Sequence, residues 1–224
     1  MNSSVKQTDP DYIRLKKPFQ LAVKRMFDIV FSLVVLIVLI PLFLVLAALI
    51  VKEDGRPVFF KQQRSGKDDF YFKMYKFRSM KIKQTSNSKS QGRIYDWQNG
   101  VPDDFVFKIG SVDNPNVTRI GKFIRKYSLD ELPQLINVLK GDMSIVGPRP
   151  EIIEITRCYN IEQKKRLIVK PGITGWAQAN GRSEMNHGEK IKYDLYYVDH
   201  FSLWLDIKVF IKTVFQVVGG KGSF

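Results

Sequence analysis

Residues 29–51 read IVFSLVVLIVLIPLFLVLAALIV, a run in which no side chain is charged and Ser32 carries the only hydroxyl group. As one straight helix this run would be roughly 34 Å long, which is enough to cross a hydrocarbon core of about 30 Å. Pro41, however, stands near the centre of the run, where it removes one helical hydrogen bond and clashes with the preceding turn. Each half is then too short to cross a membrane alone. The run therefore predicts a helix that is broken at Pro41.

Basic residues flank the apolar run on both sides. Lys24 and Arg25 precede it, and Lys52 and Arg56 follow it. The positive-inside rule places both flanks on the cytoplasmic side of a membrane. A helix that enters the membrane, bends at Pro41 and returns to the same face satisfies both observations, so we predict a re-entrant helix. One spanning helix remains the alternative, whereas the length of the run and of its leader disfavours a cleaved signal peptide.

The net charge of +14 indicates an anionic partner. Residues 52–93 contain twelve basic and four acidic side chains, so most of the excess lies directly after the apolar run. Such a cluster indicates contacts with anionic lipid headgroups, although it could serve solubility alone. A nucleic-acid partner is not expected, because the charge is not gathered on a helix that could enter a groove.

Several common frameworks and sites are excluded or disfavoured by the residues that would have to form them. Cys158 is the only cysteine, which excludes a disulfide framework and a thiolate metal site. His187 and His200 do not form the HExxH pattern of zinc hydrolases. No Gly-Lys pair is followed by serine or threonine, which excludes a P-loop.

The remaining chain predicts both strands and helices. Alternating residues at 58–60 and 70–77 predict a β-hairpin with its turn at 65–68. Residues 81–116 are polar and rich in turn-forming residues, and predict a surface loop. An amphipathic C-terminal helix is predicted by apolar residues at helical spacing, namely Trp204, Ile207, Ile211, Val214, Phe215 and Val218. This helix suits either the membrane–water boundary or an ordinary protein core.

An acidic pair, Asp130 and Glu131, precedes a short predicted helix that Gly141 ends. Ser128 and Glu131 match a capping box; alternatively Asp130 is the cap, in which case Pro133 loses no hydrogen bond. The start of a helix favours ionised carboxylates and also phosphates. An ionised carboxylate there could attack phosphorus or bind magnesium. Capping and catalysis are therefore both open interpretations of this pair.

Two segments have the composition of binding loops. Gly147-Pro148-Arg149-Pro150 holds one arginine in a rigid frame, which lowers the entropic cost of a bidentate contact with phosphate, although it could be a structural turn. Residues 170–182 are rich in glycine and offer Trp176 for stacking and Arg182 for ion pairing. The second loop is weak evidence by itself.

Six motifs occur together in one order along the chain. They are Lys24-Arg25-Met26-Phe27-Asp28, Lys76-Phe77-Arg78-Ser79-Met80, Ser128-Leu129-Asp130-Glu131-Leu132-Pro133-Gln134, Lys140-Gly141-Asp142-Met143-Ser144, Gly147-Pro148-Arg149-Pro150 and Pro171-Gly172-Ile173-Thr174-Gly175. In this order they resemble the bacterial sugar transferases, the monotopic phosphoglycosyl transferases. The resemblance extends from about residue 24 to residue 218, nearly the whole chain.

The resemblance implies transfer of a sugar-1-phosphate from a UDP-sugar to undecaprenyl phosphate, with release of UMP, at the start of surface glycan assembly. It implies a Mg²⁺ requirement and a place in the bacterial inner membrane, with the catalytic part on the cytosolic face. Asp130 matches the family's covalent nucleophile and Glu131 its partner. Asp130, Glu131 and Asp206 are the expected metal ligands. The expected substrate-binding residues are Lys76, Arg78, Arg125, Arg149 and Arg182.

The expected fold class is α+β, a monotopic membrane protein with a re-entrant helix broken at Pro41, a small β-hairpin and amphipathic interfacial helices. We expect a basic leader at 1–23, the re-entrant helix at 24–52 and a cytosolic catalytic domain at 53–224. The chain resembles a minimal form without the N-terminal membrane module of larger relatives, and its segment 81–116 is longer than in the smallest members. Three rival interpretations are a single displacement with Asp130 as base or metal ligand, a non-catalytic scaffold, and a membrane-anchored nucleic-acid binder.

Overall fold

The computed structural model describes residues 17–82, 97–106, 114–181 and 185–218. These residues form helices and two two-stranded sheets, which confirms the α+β class. The helices are α1 (Pro18–Val38), α2 (Ile40–Asp54), α3 (Arg119–Lys126), α4 (Gln134–Lys140), α5 (Ile153–Thr156), α6 (Ile161–Lys164), α7 (Trp176–Asn180), α8 (His187–Asp199) and α9 (Leu203–Val218). The strands are β1 (Phe59–Ser65), β2 (Tyr71–Phe77), β3 (Ser144–Val146) and β4 (Gly172–Thr174), and 3-10 turns lie at Lys67–Asp69, Leu129–Glu131 and Lys165–Ile168. The leader before residue 17 and most of the predicted loop at 81–116 lie outside the described residues.

The apolar run forms two helices that are bent by 61°. The break falls at Leu39, two residues before the predicted position, and Pro41 is the second residue of α2. Proline is tolerated there because the first residues of a helix have no hydrogen-bond partner for their N–H groups. Within the described residues no single helix is long and apolar enough to cross a membrane, whereas the bent pair α1–α2 meets that criterion by length and composition.

Both ends of the bent pair are attached to the same globular body. Near its start, Arg25 donates two hydrogen bonds to carbonyl oxygens at the end of α4, and Asp28 accepts one from the backbone of β3. Near its end, Leu46 and Ile50 are buried in a cluster with side chains from β2 and α3. The apolar middle of the pair therefore leaves this body and returns to it.

The predicted hairpin is confirmed. Strands β1 and β2 pair antiparallel, from Phe59 opposite Phe77 to Ser65 opposite Tyr71. Lys76 is the last residue but one of β2. It lies close to the 3-10 turn that contains the acidic pair.

The second sheet presents the proline-flanked arginine loop. Strands β3 and β4 pair in parallel, and Gly147 follows β3 directly. A Cβ atom on Gly147 would lie 2.3 Å from the carbonyl oxygen of Lys170, so only glycine allows the two chain segments to approach this closely. This close approach fixes the point from which the loop carrying Arg149 begins.

The predicted C-terminal helix is confirmed as α9, and one of its sides is exposed. Leu205 and Val209 face the core. Five of the apolar residues used to predict the helix are instead exposed, namely Trp204, Ile207, Ile211, Val214 and Phe215. The ring of Phe210 packs edge-on against Phe31 of α1, so the exposed apolar surfaces of α9 and α1 are neighbours. A broad exposed apolar surface of this kind marks contact with a membrane or a partner.

Candidate active site

The acidic pair lies in the 3-10 turn Leu129–Glu131, ahead of α4. Neither predicted cap is formed: Ser128 is left-handed with φ 53° and caps nothing, and Pro133 occupies the cap position of α4. The carboxylate of Glu131 is directed to distant cations and does not close a capping box. The helix ends at Gly141 with φ 90°, as predicted. Capping therefore does not account for Asp130 and Glu131.

Glu131 binds two cations from distant parts of the chain. Lys76 Nζ lies 2.7 Å from Oε1, and Arg149 makes a two-pronged contact at 2.5 Å to Oε1 and 3.3 Å to Oε2. Burial by itself raises the pKa of Glu131, but Arg149 and Lys76 outweigh it and hold that pKa well below its usual range. Glu131 is consequently ionised, and both of its oxygen atoms contact a cation.

Asp130 has the opposite environment. Its carboxylate makes no hydrogen bond and no ion pair with another residue of the described ranges. Burial, and next the charge of Glu131, raise the pKa of Asp130, and the nearby Lys76, Arg125 and Arg149 only partly offset this. Asp130 is thus a carboxylate of raised basicity whose oxygen atoms are available to a ligand.

The two neighbouring carboxylates are therefore differentiated by their surroundings. Environments that push the pKa values of two acids apart are typical of sites in which the acids have different roles. Here Glu131 positions two cations beside Asp130, and Arg125 is oriented by a 2.8 Å hydrogen bond from its Nε to Ser79. This arrangement can bind anionic groups and present one carboxylate to them.

The loop that carries Arg149 is held by a buried ion pair that the sequence analysis missed. Arg166 donates to the backbone oxygen of Arg149 at 2.8 Å, pairs with Asp194 at 2.6 Å and contacts the hydroxyl of Tyr159 at 2.8 Å. Arg166 and Asp194 are both buried. Arg166 and Asp194 lie in ordinary helical segments that contain no motif, so no local pattern in the sequence predicts their pairing.

A comparison of the chain with models of known protein families identifies its family. The family model described as bacterial sugar transferase matches residues 19–220, which include every residue of this site. The chain belongs to the bacterial sugar transferase family.

Three relatives show how far this transferase extends along similar proteins. Galactosyl transferase CpsE of Streptococcus agalactiae is 39% identical over 94% of the chain, and 45% of CpsE is covered. The uncharacterized sugar transferase EpsL of Bacillus subtilis is 40% identical, with 89% of each protein covered. An undecaprenyl-phosphate galactose phosphotransferase of Salmonella typhimurium is 39% identical over 90% of the chain and is covered to 41%. The transferase thus spans less than half of two of these relatives and most of the third.

Arg78, which was predicted to bind substrate, makes several contacts within the protein. Arg78 is buried, donates to the carbonyl oxygens of Asp54 and Gly55, and lies 3.4 Å from the Asp54 carboxylate. It therefore closes the C-terminal end of α2 and ties the bent helix pair to β2. Arg182, also predicted to bind substrate, lies outside the described residues.

Asp206 of the transferase belongs to a separate network. It pairs with Lys24 at 2.7 Å and accepts a hydrogen bond from the hydroxyl of Tyr197 at 2.6 Å. No group of three or more potential metal ligands occurs in the described part of the chain. The expected three-carboxylate magnesium site of Asp130, Glu131 and Asp206 is therefore not assembled here, because Asp206 connects α9 to α1 and α8.

Proposed function

We propose that this transferase moves a sugar-1-phosphate from a UDP-sugar to undecaprenyl phosphate and releases UMP, through a covalent intermediate on Asp130. The observation that carries the proposal is the unpaired carboxylate of Asp130 beside cations that Glu131 holds in place. The Salmonella relative is named for transfer of a sugar phosphate to undecaprenyl phosphate, which supports the same substrate classes here.

In the first step an oxygen of Asp130 attacks the phosphorus that bears the sugar. The bond from that phosphorus to the bridging oxygen breaks, and UMP leaves with the bridging oxygen. Lys76, Arg125 and Arg149 reduce the repulsion between the anionic donor and the carboxylate, and they stabilise charge that develops on the phosphoryl oxygens. Because these cations are already in place, little reorganisation is needed when the donor binds.

In the second step a phosphate oxygen of the lipid attacks the same phosphorus and restores the Asp130 carboxylate. One phosphoanhydride bond is broken and one is formed overall, so no external energy source is required. The two anionic substrates use the carboxylate in turn. The site therefore never has to hold the nucleotide and the lipid phosphate together.

The residues fit a magnesium ion shared with the substrate. Mg²⁺ is commonly held by one or two carboxylates together with substrate phosphates, and the Asp130 oxygens are free of partners in the described structure. We propose that Asp130 is the chief protein ligand and that Glu131, which is occupied by two cations, contributes less. When bound, the ion neutralises phosphate charge and polarises phosphoryl oxygens.

We further propose that the pair α1–α2 enters the cytosolic face of the bacterial inner membrane and returns to it. Both ends of the pair contact one globular body, and such a body lies on a single side of a bilayer. The exposed apolar surfaces of α1 and α9 would then meet the hydrocarbon and its boundary. With this membrane placement, a site for one soluble and one lipid substrate would lie at headgroup height.

The topology predicts that both flanks of the apolar run lie on the same side of the membrane. Single cysteines at Ser3→Cys and Gln63→Cys, in a Cys158→Ser background, should both resist a membrane-impermeant maleimide in intact spheroplasts. Both should react after lysis, which serves as the accessibility control. Labelling of one position alone in intact cells would show a spanning helix and contradict the re-entrant path.

The raised pKa of Asp130 predicts where the rate of the first step falls on the acid side of its pH profile. Asp130 must be ionised to attack, so the rate of the first step at subsaturating donor and Mg²⁺, which reports the free enzyme, should fall as pH drops through a pKa above that of a free aspartate. Arg125→Gln removes a charge that lowers this pKa. The acid limb of the profile, the range in which the rate falls at low pH, should therefore move to higher pH. The rate is measured before lipid is added, because the lipid phosphate itself titrates near pH 6. Lys126→Gln, an exposed neighbour, is the matched control and should leave the limb in place.

The proposed overall reaction is tested by UMP release. Purified transferase with Mg²⁺ should release UMP from at least one of a panel of UDP-sugars, and sustained release should require undecaprenyl phosphate. The panel also identifies the sugar. Absence of release with every donor, from protein that is folded and membrane-inserted, would contradict the proposed activity.

A further inference from the structure

A cleft lies apart from the acidic pair. It has a volume of about 230 Å³ and lies between the first turns of α1 and the segment that ends at Lys170. None of the five residues assigned to phosphoryl transfer lines it. Pockets that enclose drug-sized ligands usually measure roughly 300–1,000 Å³, so this cleft suits a smaller group than a whole nucleotide sugar.

The cleft is lined by four cations and one carboxylate. The cations are Lys24, Arg25, Lys67 and Lys170, and the carboxylate is Asp28. Lys24 is paired with Asp206 and Arg25 with carbonyl oxygens, but both still contribute positive charge to the cleft. Its lining therefore carries an excess of positive charge, which favours an anionic occupant.

Lys170 is the cation most available to that occupant. Its ammonium group has no hydrogen bond or ion pair with another residue in the described ranges. Burial, and next the charge of Arg25, lower the pKa of Lys170; Asp28 opposes this effect and Lys67 adds to it. A bound anion would relieve this repulsion between neighbouring cations.

Ser144 supplies an independent indication of a ligand. Ser144 lines the cleft and is only 1% exposed, and its buried hydroxyl has no hydrogen-bond partner in the described structure. Buried hydroxyl groups are nearly always hydrogen-bonded, and an unpaired one requires an explanation. A small rotation of the side chain toward the cleft would let this hydroxyl donate a hydrogen bond to an oxygen atom of an anion bound there.

The rest of the lining is mainly apolar, and the cleft lies next to the membrane segment. Leu21, Val169 and Phe201 contribute hydrocarbon surface. On α1 the cleft reaches from Leu21 to Asp28, directly before the uncharged run begins at Ile29. With the proposed membrane placement, the cleft opens at headgroup height.

We propose that this cleft binds the phosphate group of an anionic phospholipid of the surrounding bilayer, with Lys170 and Ser144 as its chief contacts. The proposal rests on the membrane placement given above and is independent of the covalent chemistry at Asp130. Phosphate suits the cations and the serine hydroxyl, and the glycerol and upper acyl groups suit the apolar walls. The bound lipid would fix the start of α1 against the globular body.

Native mass spectrometry of the full chain, with phosphatidylglycerol or phosphatidylcholine added, tests the proposal. Wild-type protein should retain phosphatidylglycerol in preference. Lys170→Gln should weaken that retention by about tenfold, the loss expected for one charge-assisted hydrogen bond. Lys164→Gln, an exposed lysine outside the cleft, is the matched control and should match wild type. Ser144→Ala, which adds no bulk, should also weaken retention and keeps the test valid should the lysine variant misfold.

Three results would overturn the proposal. The first is equal retention of phosphatidylglycerol by wild type and both cleft variants. The second is equal retention of phosphatidylglycerol and phosphatidylcholine by wild type. The third is displacement of phosphatidylglycerol by millimolar inorganic phosphate or by equimolar undecaprenyl phosphate. Asp130→Asn should retain phosphatidylglycerol as wild type does. Because no UDP-sugar is present, a negative result here leaves the proposed transfer reaction standing.

Discussion

Asp130→Asn is expected to lower turnover at least ~10³-fold while the protein stays folded. Asparagine keeps the shape of the side chain but offers no anionic oxygen to attack phosphorus. The native carboxylate makes no hydrogen bond or ion pair within the described residues, so its replacement removes no structural contact there. Loss of a partly buried charge of raised pKa should leave the melting temperature unchanged or slightly higher, because that charge is costly to bury.

The control for this substitution is Asp199→Asn, which makes the same chemical change on the exposed end of α8. UMP release and thermal unfolding are measured on both variants. Asp199→Asn should keep wild-type turnover. A wild-type rate for Asp130→Asn would remove the nucleophile assignment, and a large loss of stability would assign Asp130 a structural role.

Glu131→Gln is expected to slow the first step by roughly 10²-fold, the size of effect seen when one preorganised electrostatic partner is removed. The substitution keeps the shape of the side chain and removes the charge that holds Lys76 and Arg149. Both cations are then free to contact Asp130. An Asp130 paired in this way is a weaker nucleophile, and the donor phosphates lose two prepared contacts.

The direction of the pH shift distinguishes this role from general damage to the fold. The charge of Glu131 raises the pKa of Asp130, so removing it should move the acid limb of the first step to lower pH. Arg125→Gln is expected to move the same limb to higher pH. Glu162→Gln, an exposed glutamate paired with Lys165, is the control and should change neither the rate nor the limb. An acid limb at higher pH in Glu131→Gln would contradict the positioning role.

Local patterns in the sequence predicted the parts of the fold that depend on local physics. Alternation predicted the β1–β2 hairpin, and apolar spacing predicted α4 and α9. Pro41 indicated the broken helix, although the break itself falls at Leu39. The shift arises because proline fits the first turn of the following helix, a preference that the sequence position alone does not resolve.

The acidic pair could be found in the sequence, but the difference between its members could not. Glu131 is defined by Lys76 on β2 and by Arg149 after β3, and only the tertiary structure brings these residues together. For the same reason the sequence suggested a capping box that the structure does not contain. A short polar motif can satisfy a local pattern and still be used by distant partners.

Buried ion pairs between distant segments were the least predictable feature. Arg166 and Asp194 support the loop of Arg149, yet neither lies in a recognisable motif. Arg78 lies inside a motif and is predicted to bind substrate, and its contacts with the end of α2 could not be read from that motif. The choice between a structural and a substrate contact depends on burial, which single-residue chemistry does not reveal.

The most direct test of the account is to trap the covalent intermediate. Wild-type transferase is mixed with its UDP-sugar and Mg²⁺ without lipid, quenched, digested and examined by mass spectrometry. The two-step mechanism predicts a sugar-phosphate on the peptide that contains Asp130. This adduct should be lost when undecaprenyl phosphate is added before the quench, and it should be absent from Asp130→Asn. Full turnover with no adduct at Asp130 would contradict the two-step mechanism and leave a single displacement, with Asp130 as base or metal ligand.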